Sequence, residues 1–107
     1  MMAAASAEDL FGELAEELAP QGAERGRMFG MACLKDPGGK AFVGLHGDEL
    51  VVRLNRDTDE HAAALALPGS HLFDPMGGRP MKDWICLALA QREQWLPLAE
   101  AARRMPR

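Results

Sequence analysis

Cysteine is scarce in this chain: Cys33 and Cys86 are the only two, and they form no CxxC pair. That scarcity excludes a disulfide-stapled scaffold. Both thiols sit inside apolar segments and are expected to be buried and reduced. Long hydrophobic runs are also missing, none approaching the ~18 residues of a spanning helix, so no membrane association is expected. The opening MMAAASAEDL meets acid at Glu8 with no basic residue before it. A secretory leader is therefore not expected, and a cytoplasmic location is. A basic excess is lacking too, since 12 Lys and Arg against 16 Asp and Glu give a formal charge of −4. Dedicated nucleic-acid binders carry such an excess, because phosphate neutralisation supplies most of their non-specific affinity. Internal repeats and low-complexity tracts are absent.

What remains is a 107-residue chain, 48% hydrophobic and 26% charged, which suits a single globular domain with one modest core. Charge is unevenly spread. Residues 1–24 hold Glu8, Asp9, Glu13, Glu16, Glu17 and Glu24 and no Lys or Arg, while Arg103, Arg104 and Arg107 lie at the other end. Ser6-Ala-Glu-Asp9 has capping-box character and precedes Leu10, Phe11, Leu14 and Leu18 at helical spacing, which predicts a first helix ending near Ala19. RMFGMACLK at 27–35 reads as one apolar strand. The DPGG turn at 36–39 pairs it with KAFVGL at 40–45, and His46-Gly-Asp48 turns the chain into a third strand at 49–54. Thr58 to Leu67 predicts a short helix stopped by Pro68-Gly69, and 70–73 a brief edge strand. Met81 to Leu89 predicts the last strand. Arg92 to Met105 predicts the last helix, with Trp95, Leu98, Ala102 and Met105 on one side and Pro97 tolerated in its first turn. The order α-βββ-α-ββ-α implies an α+β fold, with an antiparallel sheet of about five strands, helices at both ends and one helix between strands 3 and 4.

DPMGGRPMKDWICL at 74–87 sets two glycines, an arginine, a proline and a lysine ahead of an apolar run. GGRPMK fails the P-loop pattern, since the spacing to Lys82 is wrong and neither Ser nor Thr follows it. Pro80 removes a backbone donor, and apolar strand residues follow where a phosphate site needs a helix N-terminus. Gly77-Gly78 therefore reads as a turn with positive φ feeding the last strand. His46, His61, His71, Cys33 and Cys86 show no ligand spacing, so neither a metal nor a cofactor site is expected. Ser70 beside His71 has no GxSxG-like surroundings, and no catalytic residue is expected. Met28, Met31, Met76 and Met81 gather around two segments, as fillers of irregular apolar gaps or as an adaptable binding surface.

RMFG at 27–30 and GRPMKDW at 78–84, with HGDELVVRL between them, resemble the N-terminal domain of the TfoX/Sxy family, bacterial proteins named for regulators of natural competence. The likeness runs from about Leu10 to Met105. The family pattern commonly has glycine where this chain has Met31 and Asp83, and an acidic linker where it has LALAQRE. The resemblance implies an α+β domain without known catalysis. In the full regulators a second, helical domain follows, and the whole protein promotes transcription with a cyclic-AMP-responsive activator. Residues 1–107 are expected to hold the N-terminal-like unit alone. The expected function is a non-enzymatic regulatory or protein-interaction module, a transcriptional accessory factor in kind. Its surface combines Arg27, Arg79 and Lys82 as charged contacts with Met28 and Met81 as apolar anchors. A protein partner is the first expectation. Weak direct nucleic-acid binding, small-ligand binding or an enzyme of unknown reaction are the alternatives, and unpaired strand edges leave a homodimer open.

Overall fold

The computed structural model describes residues 6–106. The first helix, α1 (Ala7–Leu18), begins where the capping box requires. The Ser6 hydroxyl accepts the Asp9 N–H at 3.1 Å, and the Asp9 carboxylate accepts the Ser6 N–H at 3.3 Å. Ala7, Phe11, Leu14, Ala15 and Leu18 form its buried stripe, and Glu13, Glu16 and Glu17 face solvent. Pro20 opens a single 3₁₀ turn, and Gly22 at φ 92° ends it.

The stretch expected as one strand is two. Strands β1 (Glu24–Met28) and β2 (Met31–Lys35) form a hairpin, because Phe29 (φ 49°) and Gly30 (φ 75°) both take the left-handed backbone of a two-residue turn. The sheet accordingly has six strands rather than five. Strand β1 also starts earlier than expected, in the polar stretch Glu24-Arg-Gly-Arg27. The Asp36 carboxylate accepts the N–H groups of Gly38 (2.9 Å) and Lys40 (3.0 Å), which closes the DPGG turn into β3 (Ala41–His46). Gly47 at φ 62° turns β3 into β4 (Glu49–Arg53).

Helix α2 (Asp59–Leu65) is capped by the Thr58 hydroxyl, which accepts the His61 N–H at 3.1 Å, and stops one turn short of Pro68. It leads to β5 (His71–Phe73) and then β6 (Met81–Leu87). Strand β6 inserts beside β4 and leaves β5 outside, so the all-antiparallel order is β1-β2-β3-β4-β6-β5. Both edges are short or charged: β1 exposes Glu24, Arg25 and Arg27, and β5 has three residues. Helix α3 (Trp95–Arg104) follows a 3₁₀ stretch over Leu89–Gln94, with Pro97 in its first turn. Trp95, Ala102 and Met105 are buried as the spacing predicts, while Leu98 is half-buried. The fold is thus α+β, with α2 between β4 and β5.

The helices supply one core. Phe11, Leu14, Leu18, Ala64, Trp95, Ala99 and Ala102 pack against Leu34, Val43, Leu50, Val52, Ile85 and Leu87 of the sheet. The opposite face carries a second cluster of Met31, Val51, Phe73 and Cys86, with Met28, Met81 and Trp84 packed against it. Its axis is one ladder row crossing all six strands, Gly26–Cys33–Gly44–Val51–Cys86–His71. A side chain at Gly44 would start 2.8 Å from the Met31 methyl and 3.3 Å from that of Met28, so both methionines lie over this glycine. In a flat sheet β2 and β5 would stand roughly 19 Å apart. Yet the rings of Phe29, in the β1–β2 turn, and Phe73, in β5, are centred 6.2 Å apart. The sheet is therefore strongly coiled, helped by bulges at Leu34/Lys35 and Leu72/Phe73.

Candidate functional site

Coiling brings the two segments singled out in the sequence to one rim. Met28 precedes the β1–β2 turn and Met81 opens β6, and both are half-buried against the second cluster. Between them stands Phe73, 2% exposed, ringed by Phe29 and by His46 at 5.4 Å edge-on. Phe29 itself is 62% exposed, and Met76, three residues beyond Phe73, is 85% exposed. The Arg27 guanidinium donates to the Gly30 carbonyl at 2.8 Å, which fixes its position beside the turn. Arg79 and Lys82 are exposed and, among the described residues, enter no ion pair. Of the methionines, Met28, Met31 and Met81 fill apolar gaps, and Met76 does not.

The loop ahead of β6 holds an anion of its own. The Asp74 carboxylate accepts the N–H of Gly78 at 2.8 Å and that of Arg79 at 3.2 Å, while Gly77 (φ 71°) and Gly78 (φ 114°) supply the backbone. Donors that would face an external phosphate are spent on this internal carboxylate, so GGRPMK is built as a turn. These bonds, Gly78's foremost, hold Asp74 below the usual carboxylate range. Asp83 is depressed likewise, first by the side chain of Arg56 (2.9 and 3.2 Å) and then by its backbone N–H at 2.8 Å. That pair ties the loop before α2 to β6, and His61 adds a ring nitrogen 2.7 Å from the Lys82 carbonyl. A carboxyl whose pKa is lower folded than unfolded stabilises fully above the unfolded value, and loses that contribution as pH falls through the folded value. The gap in Tm between the wild type and Asp83→Ala should therefore be constant above about pH 5 and narrow progressively as pH falls below the ordinary Asp value of about 3.9, as thermal melts across that range would record.

Arg53, Arg56, Met81, Lys82, Trp84 and the Asp83 that pairs with Arg56 line a shallow depression of about 330 Å³ on the same side. A second depression, of about 240 Å³, lies between α1 and α3 and includes Glu13, Glu17 and Arg92. No polar or charged residue is buried among the described residues.

One cluster was not legible in the sequence. Glu49 on β4, Cys86 on β6 and His71 on β5 place a carboxylate oxygen, a thiol sulfur and an imidazole nitrogen within 4.8 Å of one another. His71 Nε2 lies 2.9 and 3.0 Å from the Glu49 oxygens, and Nδ1 lies 3.0 Å from the Leu72 carbonyl. With acceptors at both nitrogens the charged ring is favoured, and its pKa is raised, most by Leu72. Burial, with Glu49 adding, pushes the Cys86 thiol up to about 12. Cys33 is also raised by burial, which outweighs Lys35 and Arg27. Both cysteines are free and buried. His46 and His61 do not join the cluster. No family model matches the chain, and no similar curated protein or solved structure is found.

Proposed function

We propose that the protein is a non-enzymatic interaction module that docks the rim formed by the β1–β2 turn and the loop before β6 onto a partner surface whose apolar pocket is bordered by acidic residues. Phe29 carries this reading. A large apolar ring 62% in solvent gains little from folding, and its φ of 49° costs the chain about 1–2 kcal/mol. Both costs are compensated if the ring enters a partner's pocket, the usual place of an aromatic anchor. Met76 widens the apolar patch, and Arg27, Arg79 and Lys82 give its border a positive sign that suits a partner carrying acids. A regulatory role of the TfoX/Sxy kind agrees with such a module, since the resemblance implies partnership rather than catalysis.

The test is affinity capture from the native cell, followed by titration of the purified partner. Arg79→Glu combined with Lys82→Glu should weaken binding at least tenfold while leaving stability within about 0.5 kcal/mol, as exposed substitutions do. Equal affinity in the double variant would remove this surface. Direct nucleic-acid binding is the second reading, favoured by the depression where Arg53, Arg56 and Lys82 flank Trp84. It requires a duplex or single-strand shift that weakens steeply with salt.

A further inference from the structure

We propose that Glu49, His71 and Cys86 form a mononuclear site for a divalent cation of zinc's character, with one coordination position left to solvent. The residues reach one point because β6 lies between β4 and β5. Cys86 is paired with Val51 on one side and with His71 on the other, and Glu49, two residues before Val51, shares that face. Tetrahedral zinc, with ligand bonds of about 2.0–2.3 Å, holds its donor atoms roughly 3.3–3.6 Å apart. The three donors here lie within 4.8 Å of one another, so shifts of about 1 Å or less admit the ion. The exposed His71 and the partly exposed Glu49 are free to make those shifts, while the buried sulfur stays in place.

The same atoms do not suit a cysteine nucleophile. Such a site needs one ring nitrogen on sulfur and the other on a carboxylate. In this cluster Nε2 faces Glu49 and Nδ1 faces the Leu72 carbonyl, so neither serves the thiol. That Nδ1 contact is instead the backbone bond that orients a metal-bound imidazole. A carboxylate against a buried thiol is also an arrangement that a cation relieves. Binding replaces the thiol proton and the Nε2 proton with the ion, and both protons pass to solvent. One sulfur, one nitrogen and one oxygen donor favour zinc or cobalt over magnesium or calcium, which take oxygen alone. His71 is 54% exposed, which opens the fourth position to water, while Val51 and Phe73 keep the inner side dry.

Cobalt(II) added to the full chain is the test. It should produce a thiolate-to-cobalt charge-transfer absorption that saturates at one ion per chain, and zinc should abolish that absorption and raise Tm. Cys86→Ala should lose the band and Cys33→Ala should keep it. Glu49→Gln and His71→Gln lie at accessible positions, and each should weaken binding about tenfold or more, which keeps the proposal testable if Cys86→Ala fails to fold. Absence of the band in excess cobalt, its persistence in Cys86→Ala, or unchanged affinity in both accessible variants would overturn the site.

Discussion

Phe73→Ala should destabilise the protein by about 3–5 kcal/mol and lower Tm by roughly 15–30 °C. The ring is 2% exposed although it belongs to a three-residue edge strand, a place where side chains are ordinarily half-solvated. What buries it is the coiling of the sheet, which lays Phe29, His46 and the methionine-rich cluster around it. Truncation leaves a cavity that the β1–β2 turn has to fill or abandon, and removes the tilted contact with Phe29, worth about 0.5–1.5 kcal/mol between aromatic rings, together with the edge-on contact with His46. Phe29→Gly should behave in the opposite way. Glycine takes φ 49° without the steric cost, and that relief offsets the lost contact of the largely exposed ring with Phe73, so stability should change by no more than about 1 kcal/mol while partner binding falls. Denaturant melts of the two variants check the pair. A loss below about 1 kcal/mol in Phe73→Ala would mean that the turn does not pack over the sheet.

Legibility in the sequence followed the range of the interaction. Ser6 and Asp9, Asp36 with its glycines, and Thr58 each build a turn or cap from residues two to four positions apart, and each such element is legible in the local sequence. Gly77-Gly78 was readable as a turn for the same reason, although the carboxylate of Asp74 that fills it was not. The β1–β2 turn was hidden because Phe29 occupies a conformation that phenylalanine rarely takes, so RMFGMACLK read as continuous strand. Met28 and Met81 could be named as candidates, but their meeting depends on bulges and coil that no local pattern encodes. Glu49, His71 and Cys86 were further out of reach. They have no motif spacing, and they converge only because β6 inserts between β4 and β5. Asp83 pairs with Arg56, a contact 27 residues long in sequence that no local pattern encodes.

Gly44→Val should cost about 3 kcal/mol, the upper end of what overpacking costs, despite valine's greater preference for strands. Gly44 is buried in the middle of the ladder row and has an ordinary backbone, so the penalty comes from space alone. Its Cβ would start 2.8 Å from the Met31 methyl, which can swing away, but also 3.2 Å from the Ala32 carbonyl oxygen, which belongs to the paired strand. Displacing Met31 uncovers Val51 and Cys86, because these residues share one cluster. Crowding of this kind predicts coupling. Met31→Ala alone should cost about 2–5 kcal/mol by opening a cavity, yet in Gly44→Val/Met31→Ala the valine fills part of that space. The double variant should therefore be at least about 1 kcal/mol more stable than the sum of the single losses predicts. Strict additivity in denaturant melts would show that Met31 does not lie over Gly44, and the methionine cover of the coiled face would fall with it.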